Sequence, residues 1–357
     1  MNFEYRGLPW NIVFGHGSLA SLPDRLAAMG LSRALVLSTP NQSDDGLLVC
    51  GLLGDKAAGL FDQAVMHVPE ATVQLAIEDV KQKRADCTVS IGGGSTTGLG
   101  KALALKLGLP NIAVPTTFAG SEMTNIWGIT GDEGKVTGRD DAVVPSLTLY
   151  DPELIMTLPA ELAGPSGLNA MAQAVVNVAA PDANPMVSLM ALEAVRILSA
   201  SLPMVMERPT DPEPRCEALF GAMLAAAALG TGITSLHHRL CHTFGGTFNT
   251  PHAETHTVLL PHCVAYNAAA TSQGTARVAQ AMGVTNAAEG LFDLAARVGA
   301  PTALREIGVM ESDLDRAVEV ALANPVVNAE PVTPSRLRML LQNAWSGASP
   351  APITSQQ

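Results

Sequence analysis

What most limits the folds open to this chain is a rhythm in its first 155 residues: short apolar runs, each closing on a turn, with helical stretches between them. Asn11 to Phe14 ends at Gly15-His16-Gly17. Ala34 to Leu37 ends at Ser38-Thr39-Pro40, and Ala64 to Val68 is a further run. Cys87 to Ile91 enters Gly92-Gly93-Gly94-Ser95, Asn111 to Val114 enters Pro115-Thr116-Thr117, and Leu147 to Tyr150 enters Asp151-Pro152. Residues 19–29, 73–84 and 98–107 carry helical patterns. Strands alternating with helices predict a parallel sheet covered on both faces. In such sheets ligands bind beyond the carboxyl ends of the strands, where these turns fall.

Beyond Pro159 the strand signals stop. Residues 167–178, 185–202, 215–229, 278–282, 291–298, 311–323 and 334–345 read as helices, and Ser349 to Gln357 as a frayed tail. Ala218 to Gly230 is apolar on nearly all sides, which suits a buried helix, and it is too short for a membrane span. The pattern breaks between Asp151 and Pro159. The expected fold class is therefore a Rossmann-like α/β domain with a parallel sheet over residues 1–155, followed by an all-α domain over 156–357.

Gly92, Gly93, Gly94 and Ser95 are the strongest candidates for holding a phosphate. Glycines admit an anion to the backbone N–H groups, and a helix starting near Thr96 or Thr97 adds the positive end of its dipole. The GxGxxG fingerprint is absent, and a glycine run by itself is more often a tight turn. Thr116 and Thr117 can add hydroxyl donors, although alone they read as a β-branched strand end. At the end of an earlier strand, Ser38 and Thr39 stand where an acidic residue would exclude a 2′-phosphate. With Thr39 uncharged, both NADH and NADPH stay open.

The second concentration of chemistry is Ser235 to His262. Six of the eight histidines lie there: His237, His238, His242, His252, His256 and His262. His238 and His242 are four apart, as are His252 and His256, and residues four apart share a helix face. Such pairs suit a metal or a set of proton donors. His237 faces another side of its helix and reads as structural. His256 is undecided, and His262 after Pro261 reads as structural or a cap at a helix end.

The formal charge of -12 argues against nucleic acid or an anionic membrane as partner. Five scattered cysteines without a CxxC pair suggest neither a disulfide framework nor a structural zinc. The N-terminus lacks the form of a signal peptide, and the apolar runs break before about 18 residues, the length a span needs. A soluble, cytoplasmic protein is the expectation.

Several segments together resemble the iron-containing alcohol dehydrogenase superfamily, and within it the maleylacetate reductases. They are GGGSTTGLGK (92–101), PTTFAGSEMT (115–124), KVTGR (135–139), YDPEL (150–154), GLNAMAQAV (167–175) and the histidine stretch with GGTFN and PHAETHT. The likeness spans almost the whole chain. It implies a homodimer that reduces the carbon–carbon double bond of maleylacetate, possessing two carboxylates, to 3-oxoadipate with NADH or NADPH. It also adds Ser121 to the cofactor-binding candidates. Metal-dependent members carry Asp and His four apart and then two further His; the matching positions are Asn169, Gln173, His238 and His252. With amides at two of them no anionic ligand remains, so no catalytic metal is expected. Gln173 is a further departure, because His is common there in related sequences. The proton and hydrogen-bond donors are then His242 and His252, with His238 nearby. Asn169, Gln173, Arg239 and His16 are candidates for binding the dicarboxylate, with Lys101, Lys135 and Arg139 as cations that more often lie on a solvated surface. Alternatives are a metal-dependent alcohol or polyol dehydrogenase, a nucleotide-binding paralogue without catalysis, and a cyclase of the dehydroquinate-synthase type, which would need ligands this chain lacks.

Overall fold

The structure is a computed structural model that describes residues 2–178, 184–232 and 235–353. The last four residues of the expected tail lie outside these. The chain forms two compact units, one over Gly7–Leu158 and one over Pro159–Gln357 joined by the segment that ends at Arg6. That N-terminal segment is tied in by Asn184, whose side-chain amide donates to the Glu4 carbonyl at 2.7 Å.

In the α/β unit the strands are β1 (Ile12–Phe14), β2 (Ala34–Leu37), β3 (Ala57–Phe61), β4 (Cys87–Gly92), β5 (Asn111–Pro115), β6 (Ile126–Gly131), β7 (Gly134–Arg139) and β8 (Leu147–Tyr150). Its helices are α1 (Leu22–Ala28), α2 (Ser43–Leu53), α3 (Glu70–Lys83) and α4 (Gly94–Leu107). Six strands pair in parallel in the order β1-β8-β5-β4-β2-β3. Side chains alternate across this sheet. Leu35 and Leu37 pack with Val73, Ile77, Leu99 and Leu103, while Val36, Val89 and Ile112 pack with Leu22, Leu26 and Val49 on the other face. Both faces being covered, β2, β4 and β5 are buried throughout.

Two expectations are corrected here, and one element is added. The run Ala64 to Val68 is not a strand. The third strand is Ala57–Phe61, and positive φ at His67 and Val68 breaks extended backbone there. Gly134 and the residues around it form an antiparallel hairpin, β6–β7, that periodicity did not disclose. Finally α4 begins at Gly94, two residues before Thr96, with Gly93 as its N-cap.

The helical unit comprises α5 (Ala160–Val178), α6 (Pro185–Glu207), α7 (Pro212–Thr231), α8 (Leu236–Phe248), α9 (His252–Asn267), α10 (Ser272–Met282), α11 (Ala287–Arg297), α12 (Leu314–Leu322) and α13 (Pro334–Ser346). The helices α5, α6 and α7 pack on one another, and α9 packs against both α5 and α8. By length and composition α6 could cross a membrane, contrary to the expectation that every apolar run is too short. Half of that stretch is buried inside the unit, and the exposed face carries the Glu193–Arg196 ion pair.

Candidate active site

The α/β unit presents a crevice determined by its topology. From β2 the chain moves outward to β3, then returns past β2 to β4 and continues the other way to β5 and β8. The switch point therefore lies between β2 and β4, where sheets of this kind bind ligands. Ser38 and Thr39 end β2 there, and Gly92 ends β4. Gly92 has a φ of 138°, which only glycine adopts readily. A Cβ at Gly93 would sit 3.0 Å from Thr117 Oγ1, so the glycine turn and the loop after β5 are in contact. Thr116 donates its N–H to the Gly92 carbonyl at 3.0 Å. The first intrahelical bond of α4 in this turn runs from Thr97 N–H to Gly93, which leaves the N–H groups of Gly94, Ser95 and Thr96 available at the positive helix end. Gly94 is exposed and Ser95 half-buried. The earlier start of α4 thus places the helix end directly on the glycines.

Gln42, which sequence reading missed, crosses this crevice. Its Nε2 donates to Thr116 Oγ1 at 2.8 Å, and its Oε1 lies 3.5 Å from the Thr39 hydroxyl. A polar residue five positions past a strand end carries no signal of its own. Ser121 lies in a half-buried turn beyond Thr117. His16 is exposed in the turn after β1, which Asp151 pins by accepting the N–H groups of Gly17 and Leu19 at 3.0 Å each. Lys101 is corrected outright. It is 1% exposed, so it is no surface cation and cannot reach a dissolved substrate. Lys135 and Arg139 lie on the hairpin; Arg139 donates to Asn125 Oδ1 at 3.2 Å.

In the helical unit the histidine stretch folds back on itself. Leu236, Leu240 and Phe244 recur every fourth residue and bury one face of α8, whereas α9 is buried on all sides from Thr255 to Tyr266. Asn249, with φ 52°, ends α8 in the left-handed region, and α9 starts three residues later at His252. This tight return packs the two helices together, with His256 at the hub of the rings. Its centroid lies 4.5 Å from His252, 4.8 Å from His237 and 5.4 Å from His238. His237 and His238 are 5.3 Å apart. His237 Nε2 stands 3.2 Å from the His256 carbonyl and 3.6 Å from the Cys241 thiol. His237, His238 and His256 are buried, whereas His242 and His252 are exposed. Burial lowers the pKa of His237 to about 4 and that of His256 well below the imidazole range, with neighbouring histidines adding to the latter. Both rings are therefore neutral at pH 7.

His262 is corrected too. It lies in the body of α9 behind Pro261, 3% exposed, rather than capping a helix end, and burial lowers its pKa to about 4. Arg239 is half-buried, and its Nη2 donates to the Pro325 carbonyl at 3.4 Å. Asn169 and Gln173 are one turn apart on α5, 4% and 5% exposed. Asn177, one turn further on, donates to the Gln173 carbonyl at 2.8 Å.

Family models match both units: "iron-containing alcohol dehydrogenase" over residues 9–152 and the C-terminal model of the same family over residues 164–345. The maleylacetate reductase of Sphingobium indicum is 49% identical over 350 residues, 98% of this chain and 99% of its own. That of Burkholderia cepacia is 48% identical over 340 residues, 95% of this chain and 97% of its own. The crystal structure of maleylacetate reductase from Agrobacterium tumefaciens superposes with a TM-score of 0.94 at 46% identity, covering 98% and 100% of the two chains. The chain belongs to the iron-containing alcohol dehydrogenase family, on its maleylacetate reductase branch. It is an oxidoreductase.

The family's name raises the question of iron. Of the four positions matched to metal ligands, Asn169 and Gln173 offer neutral amide oxygens, and His238 and His252 offer imidazoles. Iron or another divalent ion there would meet no anionic oxygen, while desolvated on the α5 side by burial. This donor set does not fit the metal. Among the described residues one other group, His237, Cys241 and His256, brings ligand atoms within 4.8 Å of one another. Burial holds the Cys241 thiol well above its ordinary pKa, which disfavours the thiolate a metal needs.

Proposed function

We propose that this protein reduces the carbon–carbon double bond of maleylacetate to 3-oxoadipate with NADH or NADPH. The observation that carries the reading is near-full-length identity of 41–49% to maleylacetate reductases, together with a histidine cluster suited to acid catalysis. Chemically the reaction adds a hydride to the β-carbon of the enone and a proton to its α-carbon, with an enolate between. A reduced nicotinamide dinucleotide supplies the hydride. Gly92 to Ser95 with the start of α4 would hold its phosphates, and Ser38, Thr39, Thr116, Thr117 and Ser121 would hydrogen-bond around them.

The chain's own groups then manage the charge. His242 and His252 are the proposed proton and hydrogen-bond donors, being exposed and so able to meet a substrate and take a proton from water. His238 supports them, and the neutral His237 and His256 fix the rings from behind. Asn169 and Gln173 offer amides, Arg239 a positive charge and His16 an imidazole hydrogen bond, for the carboxylates of the substrate. An oxyanion held by such donors needs no Lewis acid. We therefore propose that no catalytic metal takes part, that the working form is a homodimer, and that it acts in the cytoplasm.

The deciding assay is oxidation of NADH and of NADPH by purified protein with maleylacetate present. Turnover dependent on maleylacetate is expected; none with either nucleotide would overturn the reading and favour a non-catalytic paralogue. Dialysis against EDTA and a stronger iron chelator is expected to leave the rate unchanged. Loss restored by Fe²⁺ or Zn²⁺ would instead favour a metal-dependent dehydrogenase.

A further inference from the structure

Three buried polar residues in the α/β unit have no part in the reaction above. Lys101 sits midway along α4, the helix that starts at the glycine turn, and its Nζ donates to Thr124 Oγ1 and to the Ile126 carbonyl, both at 2.9 Å. Glu122 is 4% exposed and accepts the Tyr150 hydroxyl at 2.8 Å; Tyr150 ends β8 and is fully buried. Burial lowers the pKa of Lys101 to about 7 and raises that of Glu122, and their mutual attraction opposes both shifts. The Met123 carbonyl, next to Glu122 in the chain, accepts the Trp10 indole N–H at 2.8 Å.

All these groups converge on residues 116–126, the irregular segment after β5 together with Ile126, the first residue of β6. Its first part carries Thr116 and Thr117, which touch the glycine turn, and its middle carries Ser121. A buried lysine and carboxylate are costly to desolvate, and apolar side chains of similar volume would often stabilise a fold as well or better. What these groups add is direction, because each fixes particular oxygens at hydrogen-bonding distance: the Thr124 hydroxyl and Ile126 carbonyl at Lys101, and the Glu122 carboxylate at Tyr150. We propose that Lys101, Glu122 and Tyr150 form a clamp that holds the 116–126 segment in the shape that receives the dinucleotide. They are positioning residues: they act on the cofactor through Thr116, Thr117 and Ser121 and touch neither it nor the substrate. The inference rests on the α/β unit being the dinucleotide-binding one.

The test titrates the full-length protein with NADH and with NADPH, following quenching of tryptophan fluorescence. The variants are Lys101→Met, Glu122→Gln, the uncharged double variant Lys101→Met/Glu122→Gln, and Tyr150→Phe. Kd and KM for the dinucleotide are expected to rise about tenfold in the first three and about threefold in Tyr150→Phe, the scale of one lost buried hydrogen bond. At saturating dinucleotide, kcat and the KM for maleylacetate should stay near wild type. Lower Tm with unchanged Kd in the folded variants would mean that these residues only stabilise the fold, which overturns the clamp. Tyr150→Phe removes one hydroxyl and keeps the ring, so it decides the matter even where the charge variants do not fold. If the wild-type protein binds neither nucleotide, the cofactor reading falls and the clamp with it. If the wild type binds and no variant weakens binding, the clamp alone falls.

Discussion

At Gly92 the backbone φ is 138°, and a Cβ there would lie 2.8 Å from both Gln42 Oε1 and Thr96 Oγ1. Gly92→Ala is therefore expected to cost about 1–3 kcal/mol in unfolding free energy, the scale for a strained backbone position. It should also weaken dinucleotide binding, since Gln42 must move; urea unfolding and nucleotide titration check the two effects separately. Among the histidines, His242→Ala and His252→Ala are each expected to lower kcat/KM by roughly 10²-fold, as for loss of a general acid or oxyanion donor. Steady-state kinetics at near wild-type values in both variants would remove them from the mechanism. Residue types and spacing made these candidates legible in the chain. Burial was not legible, and it separates the rings: a pattern of His at positions four apart says which share a face, not which face meets water. The same limit misplaced Lys101, because a lysine in a sequence reads as exposed until its partners Thr124 and Ile126 are seen.

At the level of elements, α4 shows how a small shift matters. The glycine-rich turn was legible, but a helix beginning at glycines defies propensity, so its start was read too late. The gain is tertiary: α4 packs Leu99 and Leu103 against Leu35, Leu37 and Val73, which secures the helix despite its first residues. In the helical unit, α5 and α6 approach closely at Gly167, where a Cβ would collide with the Leu202 side chain, itself 1% exposed. Gly167→Ala is expected to destabilise by about 1–3 kcal/mol through overpacking, read as a lowered Tm. The hairpin β6–β7 escaped notice for a different reason. Its second strand is exposed along nearly all its length, so it has no apolar alternation for periodicity to detect.

For the molecule as a whole, the buried neutral histidines predict the acid limit. His237 and His262 have folded pKa values near 4 and that of His256 is well below 6.5, whereas the unfolded chain takes up protons near 6.5. Between about pH 6.5 and 4 the unfolded state therefore binds more protons, and stability falls as pH falls, by up to about 1.4 kcal/mol per pH unit for each histidine. The raised pKa of the buried Glu122 works in the opposite sense and offsets part of this. Tm measured from pH 7.5 to 4.5 should decline below about pH 6.5; a flat profile would show that these rings are not held neutral. The sequence by itself determined the class of fold, the place of the glycine turn and the family. Those follow from local periodicity and from motifs that are contiguous in the chain. Only the tertiary structure decided which histidines are exposed, that Gln42 spans the crevice, and that Lys101 and the Glu122–Tyr150 hydrogen bond converge on residues 116–126. Each of these depends on bringing together residues distant in the chain, and the desolvation that then sets their charge has no counterpart in local sequence.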